Sequence, residues 1–168
     1  MRRPLALVPV LAISLFAAVA PVGAQQAGPR PTLDTPGILT AAAALAGALR
    51  ASAVQHPELA LAAIGVTDQY QIHEVRRTKP SGAPAIHHGW TELQFVISGS
   101  GTLLSGGRIE VRPGKPQGVI VGGRSQRLHA GDAIIVPPET PHWYSSIGSK
   151  GLTVLEVRFA TPAGAAAP

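Results

Sequence analysis

Turn signals recur at short intervals through most of the second half of the chain. From Gln69 onward, clusters of Gly, Pro, Ser and Asp interrupt short apolar segments. The clusters fall at residues 79–82, 98–101, 105–107, 112–114, 122–123, 130–132 and 137–138. Strands of roughly four to eight residues, bounded in this way, are typical of an all-β sandwich or barrel. The 19 Gly and 16 Pro, against 2 Trp, 2 Tyr and 3 Phe, also favour a turn-rich fold over a helical bundle.

The length of 168 residues is enough for one domain with extra segments at its ends. We predict an antiparallel β-barrel over residues 67–160 and a flexible tail over residues 161–168. Upstream, residues 25–36 have the Pro, Gln and Gly content of a linker. Ala and Leu dominate residues 38–54, which predicts a helix capped by Asp34 or Thr35. A further helical turn is expected over residues 58–64, so residues 25–66 are assigned to a linker and helical segment.

The first 24 residues have the pattern of an export signal. Arg2 and Arg3 precede an apolar run over residues 5–20, and the small residues at 22–24 suit a signal peptidase. An uncleaved membrane anchor is the alternative, but a span needs about 20 apolar residues. We therefore expect a periplasmic or secreted protein with no membrane segment after cleavage.

Charge and cysteine content exclude several classes of function. The net charge of +5 includes Arg2 and Arg3, so removal of residues 1–24 leaves +3. The other basic residues are scattered apart from the cluster at residues 76–79, whereas a nucleic-acid-binding face is clustered. Nucleic acid is not an expected partner. The absence of cysteine excludes disulfides, thiolate metal sites and a cysteine nucleophile.

Two segments carry residues that can bind a metal ion. In the first, residues 86–99, strand alternation puts His88, Glu92, Gln94 and Val96 on one face. In the second, residues 131–142, a glycine turn, an apolar strand and a proline-rich loop lead to His142. Imidazole nitrogen and carboxylate oxygen together suit divalent first-row ions.

In this order, the two segments resemble the two-part metal signature of the cupins, a family of small jelly-roll β-barrels. The first part, G-x5-H-x-H-x3-4-E-x6-G, is matched by His88, Glu92 and Gly99. The second part, G-x5-P-x-G-x2-H-x3-N, is matched by Gly131, Pro137 and His142. The resemblance covers about residues 71–159 and implies the fold class: an all-β cupin-type antiparallel barrel with a short helical N-terminal segment.

The sequence departs from the family pattern at several positions. Ile86 stands where the family has its first His, Glu139 replaces a Gly, and Ser146 replaces the final Asn. His87 is the alternative ligand, since a bulge near Gly89 would turn it inward. The long stretch between the motifs, residues 100–130, predicts an inserted hairpin.

The resemblance implies one divalent ion (Zn, Fe, Mn, Ni or Cu) held by His88, Glu92 and His142. It also implies a small-molecule ligand or substrate, with Gln94, Tyr144 and His73 lining the pocket. Cupins include dioxygenases, isomerases, lyases and non-catalytic proteins, and many are homodimers. Two hypotheses follow: a metal-dependent enzyme acting on a small organic molecule, or a ligand-binding module with a degenerate metal site.

Cleavage close to Ala24 is the first testable expectation. N-terminal sequencing of the mature protein from its native host should begin near Gln25, because the peptidase acts after the small residues at 22–24. Recovery of Met1 or Arg2 would contradict it.

Overall fold

The chain changes from helix to antiparallel strands before the point that the turn signals predict. The structure, a computed structural model, describes residues 37–161, so the predicted export signal, the predicted linker over residues 25–36 and residues 162–168 lie outside it. One helix precedes eight strands: α1 (Ala42–Gln55), β1 (Leu59–Val66), β2 (Tyr70–Arg77), β3 (Trp90–Ser105), β4 (Arg108–Arg112), β5 (Lys115–Val121), β6 (Arg124–His129), β7 (Ala133–Val136) and β8 (His142–Ala160). Within the described part, no helix combines the length and apolar character that a membrane span requires.

Helix α1 is shorter than the sequence predicts. Its N-cap is Ala41, whose side chain offers no hydrogen-bond acceptor, and residues 38–41 lie outside the helix. At the other end, the His56 N–H donates to the Ser52 carbonyl oxygen, and Pro57 follows. Proline cannot donate a helical hydrogen bond and disfavours helix in the residue before it, so α1 ends there.

The helical turn expected over residues 58–64 is not formed, because residues 59–64 belong to strand β1. Strand β1 pairs with β2 along its whole length, from Leu59 opposite Arg77 to Val66 opposite Gln71. Ala60 and Ala62 are buried, and α1 packs against β1. Strand pairing and burial here override the helix propensity of alanine. The sheet therefore begins at Leu59 instead of residue 67.

The strands confirm the predicted all-β antiparallel fold. The main sheet has the order β1-β2-β8-β3-β6, and β7 also pairs with β3. Every pairing in it is antiparallel. Strands β4 and β5 form a separate two-stranded sheet, which is the hairpin predicted between the two motifs.

The long strands β3 and β8 bend as they pair with each other. Their register shifts between Val96 and Ser98 and again between Gly99 and Gly101. Gly99 has φ of 81°, and a Cβ atom built there would lie 2.0 Å from the carbonyl oxygen of Gly151. Only glycine fits this position, which explains physically why Gly99 closes the first motif.

The inner face of the sheet carries an apolar layer beside a polar one. Val75, Val154 and Val96 lie opposite one another on β2, β8 and β3, and all are buried. Two residues away along each strand, the same face carries His73, Glu156 and Gln94. The apolar core therefore borders a layer of polar side chains on the same face of the sheet.

Replacing Gly99 with alanine should strongly destabilise the fold. A positive φ at a residue other than glycine costs about 1–3 kcal/mol, and the contact with Gly151 adds to this cost. We expect Gly99→Ala to lower the free energy of unfolding by at least about 2 kcal/mol in urea denaturation. The control is Gly82→Ala, since a Cβ at Gly82 meets no atom within 4 Å. Equal stability of the two variants would contradict this account.

Candidate metal centre

Strand β3 supplies the carboxylate of the centre. Its burial alternates as the sequence predicts, with Glu92, Gln94 and Val96 buried and Phe95 and Ile97 exposed. Glu92 is only 1% exposed. A buried carboxylate is costly unless polar partners surround it, so the groups around Glu92 determine its role.

A turn before β3 decides which histidine faces Glu92. Strand β3 begins at Trp90, and residues 88–89 form a turn in which Gly89 has φ of 70°. The Trp90 N–H donates to the His87 carbonyl oxygen at 3.4 Å. Because strand alternation does not extend through this turn, His87 lies on the inner side and His88 on the outer side.

His88, a ligand in the sequence-based set, is not brought to the centre. Its side chain is 77% exposed and its Nδ1 contacts the Glu139 carboxylate. Glu139 Oε1 also accepts a hydrogen bond from the Gly89 N–H at 2.9 Å. The hydrogen bond from His88, followed by that from Gly89, lowers the pKa of Glu139. Glu139, with φ of 62°, occupies the position at which the family pattern has glycine. The candidate ligand set is therefore revised from His88 to His87.

His142 is positioned by a bridge and by a hydrogen bond to its ring. Its backbone pairs with Ala85 through two hydrogen bonds of 2.9 Å. Its Nδ1 lies 3.1 Å from the Thr140 carbonyl oxygen, which can only accept a hydrogen bond. In the neutral ring this contact assigns the proton to Nδ1 and leaves a lone pair on Nε2.

Three side chains converge on one another. His87 Nε2 lies 3.2 Å from Glu92 Oε2, and His142 Nε2 lies 3.9 Å from the same oxygen. The two imidazole rings are 5.1 Å apart between centroids. One ligand atom from each of the three residues lies within 4.8 Å of the other two. With bonds near 2.1 Å, ligand atoms on a tetrahedral ion are about 3.4 Å apart, so this spacing suits a single cation.

The chemistry of the donors also fits a cation. Burial lowers the pKa of His87, and the positive charge of Arg158 lowers it further, which favours the neutral imidazole that metals require. The His142 Nε2 lone pair faces the Glu92 carboxylate, which is itself an acceptor. Two acceptors that face each other are stabilised by a cation between them. The residues present therefore fit a divalent metal ion.

Three further polar side chains hold the Glu92 carboxylate in place. The Gln94 Nε2 donates to Glu92 Oε1, and the Tyr144 hydroxyl donates to Gln94 Oε1. The Arg158 Nε donates to Glu92 Oε2 at 3.0 Å. Gln94 and Tyr144, both predicted to line the pocket, thus form a buried chain of hydrogen bonds that ends on Glu92.

A second carboxylate lies on the same inner face. Glu156 Oε1 accepts a hydrogen bond from the Arg158 guanidinium at 2.7 Å. Burial and then the negative charge of Glu92 raise the pKa of Glu156 to about 7. His73, the third predicted pocket residue, lies opposite Glu156 in the sheet, and its buried Nδ1 has no hydrogen-bond partner within residues 37–161. Burial, followed by the charge of Arg158, lowers the pKa of His73.

The sequence contains signals for His87, which was only the alternative ligand, and for Glu156 and Arg158, which were not predicted. The first motif allows three or four residues between its second His and its Glu. With four, His87 takes the second His position and Ala85 the first, which agrees with the geometry. Glu156 and Arg158 follow Leu152 and Val154 at a spacing of two, so alternation along β8 places both on the inner face.

Comparison with known proteins supports a cupin-type fold. A family model described as Cupin domain matches residues 118–158, a segment that includes the second motif and His142. The BH2720 protein of Bacillus halodurans is 17% identical, with a TM-score of 0.51 over 81% of this chain and 86% of that one.

Two other structures are similar over less of the chain. KdgF from Halomonas sp. is 17% identical, with a TM-score of 0.47 over 63% of this chain and 83% of that one. The cupin domain of Schizosaccharomyces pombe Cnp3 is 9% identical, with a TM-score of 0.48 over 61% and 65%. No curated protein matches the sequence. At 17% identity, the similarity to the BH2720 protein concerns the fold alone and leaves the activity to be argued from the site.

The raised pKa of Glu156 predicts a specific pH dependence of stability. An unperturbed glutamate has a pKa of 4.5, against about 7 here. The folded state therefore holds a proton that the unfolded state releases, and the contribution of Glu156 to stability falls as the pH rises through this interval. From about pH 5 to about pH 8, the unfolding free energy of the wild type should fall relative to that of Glu156→Gln, measured by urea denaturation. Parallel pH profiles would contradict the assignment.

Proposed function

We propose that this chain is an exported metalloprotein of the cupin type whose barrel binds one divalent first-row metal ion and a small organic anion. His87 Nε2, His142 Nε2 and Glu92 are the protein ligands. The observation that carries the proposal is that both imidazole nitrogens face the same oxygen, Glu92 Oε2. A bound ion would supply Lewis acidity, and three protein ligands leave positions for water or a chelating molecule.

The charges around the centre favour an anionic ligand. Glu92 and Glu156 carry two negative charges when both are ionised, and Arg158 and Arg77 balance them on the same inner side. With neutral imidazoles, a divalent ion would add two positive charges that no carboxylate among the described residues compensates. Uncompensated charge inside a protein is costly, so an anion such as a carboxylate would be drawn to the open positions.

Catalysis is favoured over simple binding by a proton-transferring group beside the metal ligands. Glu156 has a pKa of about 7, the range in which a general acid or base works best. It lies next to Gln94 in the sheet and shares Arg158 with Glu92. The alternative, a non-catalytic binding module, is favoured by Ala85, because it supplies no ligand at the position of the first family histidine.

The proposed function includes export of the protein and its assembly as a homodimer. Residues 1–24 support export to the periplasm or beyond. A homodimer is supported by exposed apolar side chains on the outer face of the sheet, among them Phe95, Ile97 and Ile135.

Removing one ligand should greatly weaken metal binding. We expect wild type to bind one equivalent of Zn²⁺ or Co²⁺, and His87→Ala and His142→Ala to bind at least about 100-fold more weakly, because two remaining ligands cannot close the site. Isothermal titration calorimetry after removal of metals gives both stoichiometry and affinity.

His88→Ala is the matched control for these variants. It removes the neighbouring imidazole, which is exposed and paired with Glu139, and should leave the affinity unchanged. If His88→Ala loses the metal while His87→Ala keeps it, the ligand set proposed from the sequence replaces the present one. If wild type binds no divalent ion, the metal-dependent function is wrong.

Adding a histidine at position 85 should strengthen the site. Ala85 and His142 exchange two backbone hydrogen bonds, so their side chains lie on the same face with Cα atoms about 5.5 Å apart. We expect Ala85→His to tighten Zn²⁺ binding by about tenfold or more, since it supplies a fourth ligand. The control is Ala83→His, which adds the same group at an exposed position in the same segment. Equal affinity of the two variants would place position 85 outside the metal centre.

A further inference from the structure

A second polar cavity lies between strands β3, β6 and β8, and none of its lining residues belongs to the metal centre. Its volume is about 200 Å³. The residues that give it its chemistry are Ser100, Thr102, Arg127, His129, Ser146 and Gly148. Thr102 alternates along β3 with the buried residues Gly101 and Leu103, so the cavity opens on the outer face of the sheet.

Cross-strand pairing brings these side chains together. Thr102 lies opposite Arg127 on β6 and opposite Ser146 on β8. Ser100 lies opposite His129. Directly opposed residues in an antiparallel pair project to the same face and lie about 5 Å apart. One guanidinium, one imidazole and three hydroxyls therefore line a single depression.

Two glycines, Gly101 and Gly148, leave room for the cavity because they have no side chain. A Cβ built at Gly148 would lie 2.3 Å from the Ser100 Oγ, and one built at Gly101 would lie 3.0 Å from the Ser146 carbonyl oxygen. Any larger residue at these positions would push into the cavity or displace the groups that line it. The depression thus depends on glycine at both positions.

The Arg127 guanidinium at the cavity has no carboxylate partner among the described residues. Within residues 37–161, Arg127 pairs with no carboxylate, unlike Arg158 at the metal centre. His129 Nδ1 lies 3.6 Å from the carboxylate of Asp132, which does not line the cavity. The hydroxyls of Ser100, Thr102 and Ser146 form no hydrogen bonds with the described residues, so they can donate to a ligand.

We propose that this cavity binds a small oxyanion: a phosphate, a sulfate or a carboxylate group. A guanidinium forms paired, charge-assisted hydrogen bonds with such groups, and neighbouring hydroxyls donate to their remaining oxygens. The volume is below the roughly 300–1,000 Å³ of sites for drug-sized ligands, which suits an inorganic anion or one acidic group of a larger molecule. This site is independent of the proposed metal centre.

The test is an NMR titration of the full chain, stripped of metal ions and desalted so that the metal centre cannot bind the anion through a metal. Sodium sulfate, phosphate and acetate are added separately, with sodium chloride keeping the ionic strength constant. We expect saturable shifts at the amides of Ser100, Thr102, Arg127 and Gly148 with at least one anion. Tetrahedral anions alone, or acetate alone, would identify which oxyanion the site prefers.

Two variants on strand β6 make the test specific. Arg127→Gln should weaken binding at least tenfold, and Arg127→Lys, which keeps the charge but loses the planar fork, should weaken it less. The control, Arg124→Gln, removes the same charge from the same strand three residues away, on the opposite face, and should retain the wild-type affinity. The proposal is overturned if no anion gives saturable shifts at these amides, or if Arg127→Gln and Arg124→Gln bind alike. The side chains of Arg124 and Arg127 are both exposed, so these substitutions should not unfold the protein. Well-dispersed NMR spectra of the variants verify this.

Discussion

The buried carboxylate of Glu92 is the constraint on which the rest of the centre depends. Withdrawing a carboxylate from water costs several kcal/mol unless charges and hydrogen bonds replace the lost hydration. Here Gln94 takes one oxygen, and Arg158 and the two imidazoles surround the other. These partners come from β3 itself, from β8 and from the segment before β3, so all three must be correctly placed. The fold and the site are therefore determined together.

This arrangement also explains how one barrel accommodates opposite charges. Arg158 bridges Glu92 and Glu156, which keeps two carboxylates on one inner face without leaving either unpaired. Burial of Glu156 and its repulsion by the Glu92 carboxylate raise the pKa of Glu156 to about 7, so Glu156 can exchange a proton near neutral pH. One polar layer thus contains the candidate metal ligands, the Arg158 guanidinium and the titrating Glu156 carboxyl. The proposed metal-dependent reaction on an anion requires all three. The apolar layer of Val75, Val96 and Val154 closes the barrel beside it.

Much of this could be predicted from the sequence. Recurring turns and strand alternation predicted the antiparallel β fold and the inward orientation of Glu92 and Gln94, and the long stretch between the two motifs predicted the inserted hairpin. The orientation of His87 and His88 could not be derived from alternation, because the turn at Gly89 interrupts it before β3 begins. Strand β1 was missed because its alanines favour helix and only pairing with β2 makes them a strand. The role of Arg158 depends on the pairing of β8 with β3, a contact between residues 66 positions apart.

Anomalous diffraction from a cobalt- or zinc-loaded crystal would show whether His87, Glu92 and His142 hold one metal ion, as we propose. We expect a single anomalous peak about 2.0–2.2 Å from His87 Nε2, His142 Nε2 and a Glu92 oxygen. A peak between His88 and Glu139 instead, or the absence of any peak near Glu92 in crystals grown with saturating metal, would contradict it.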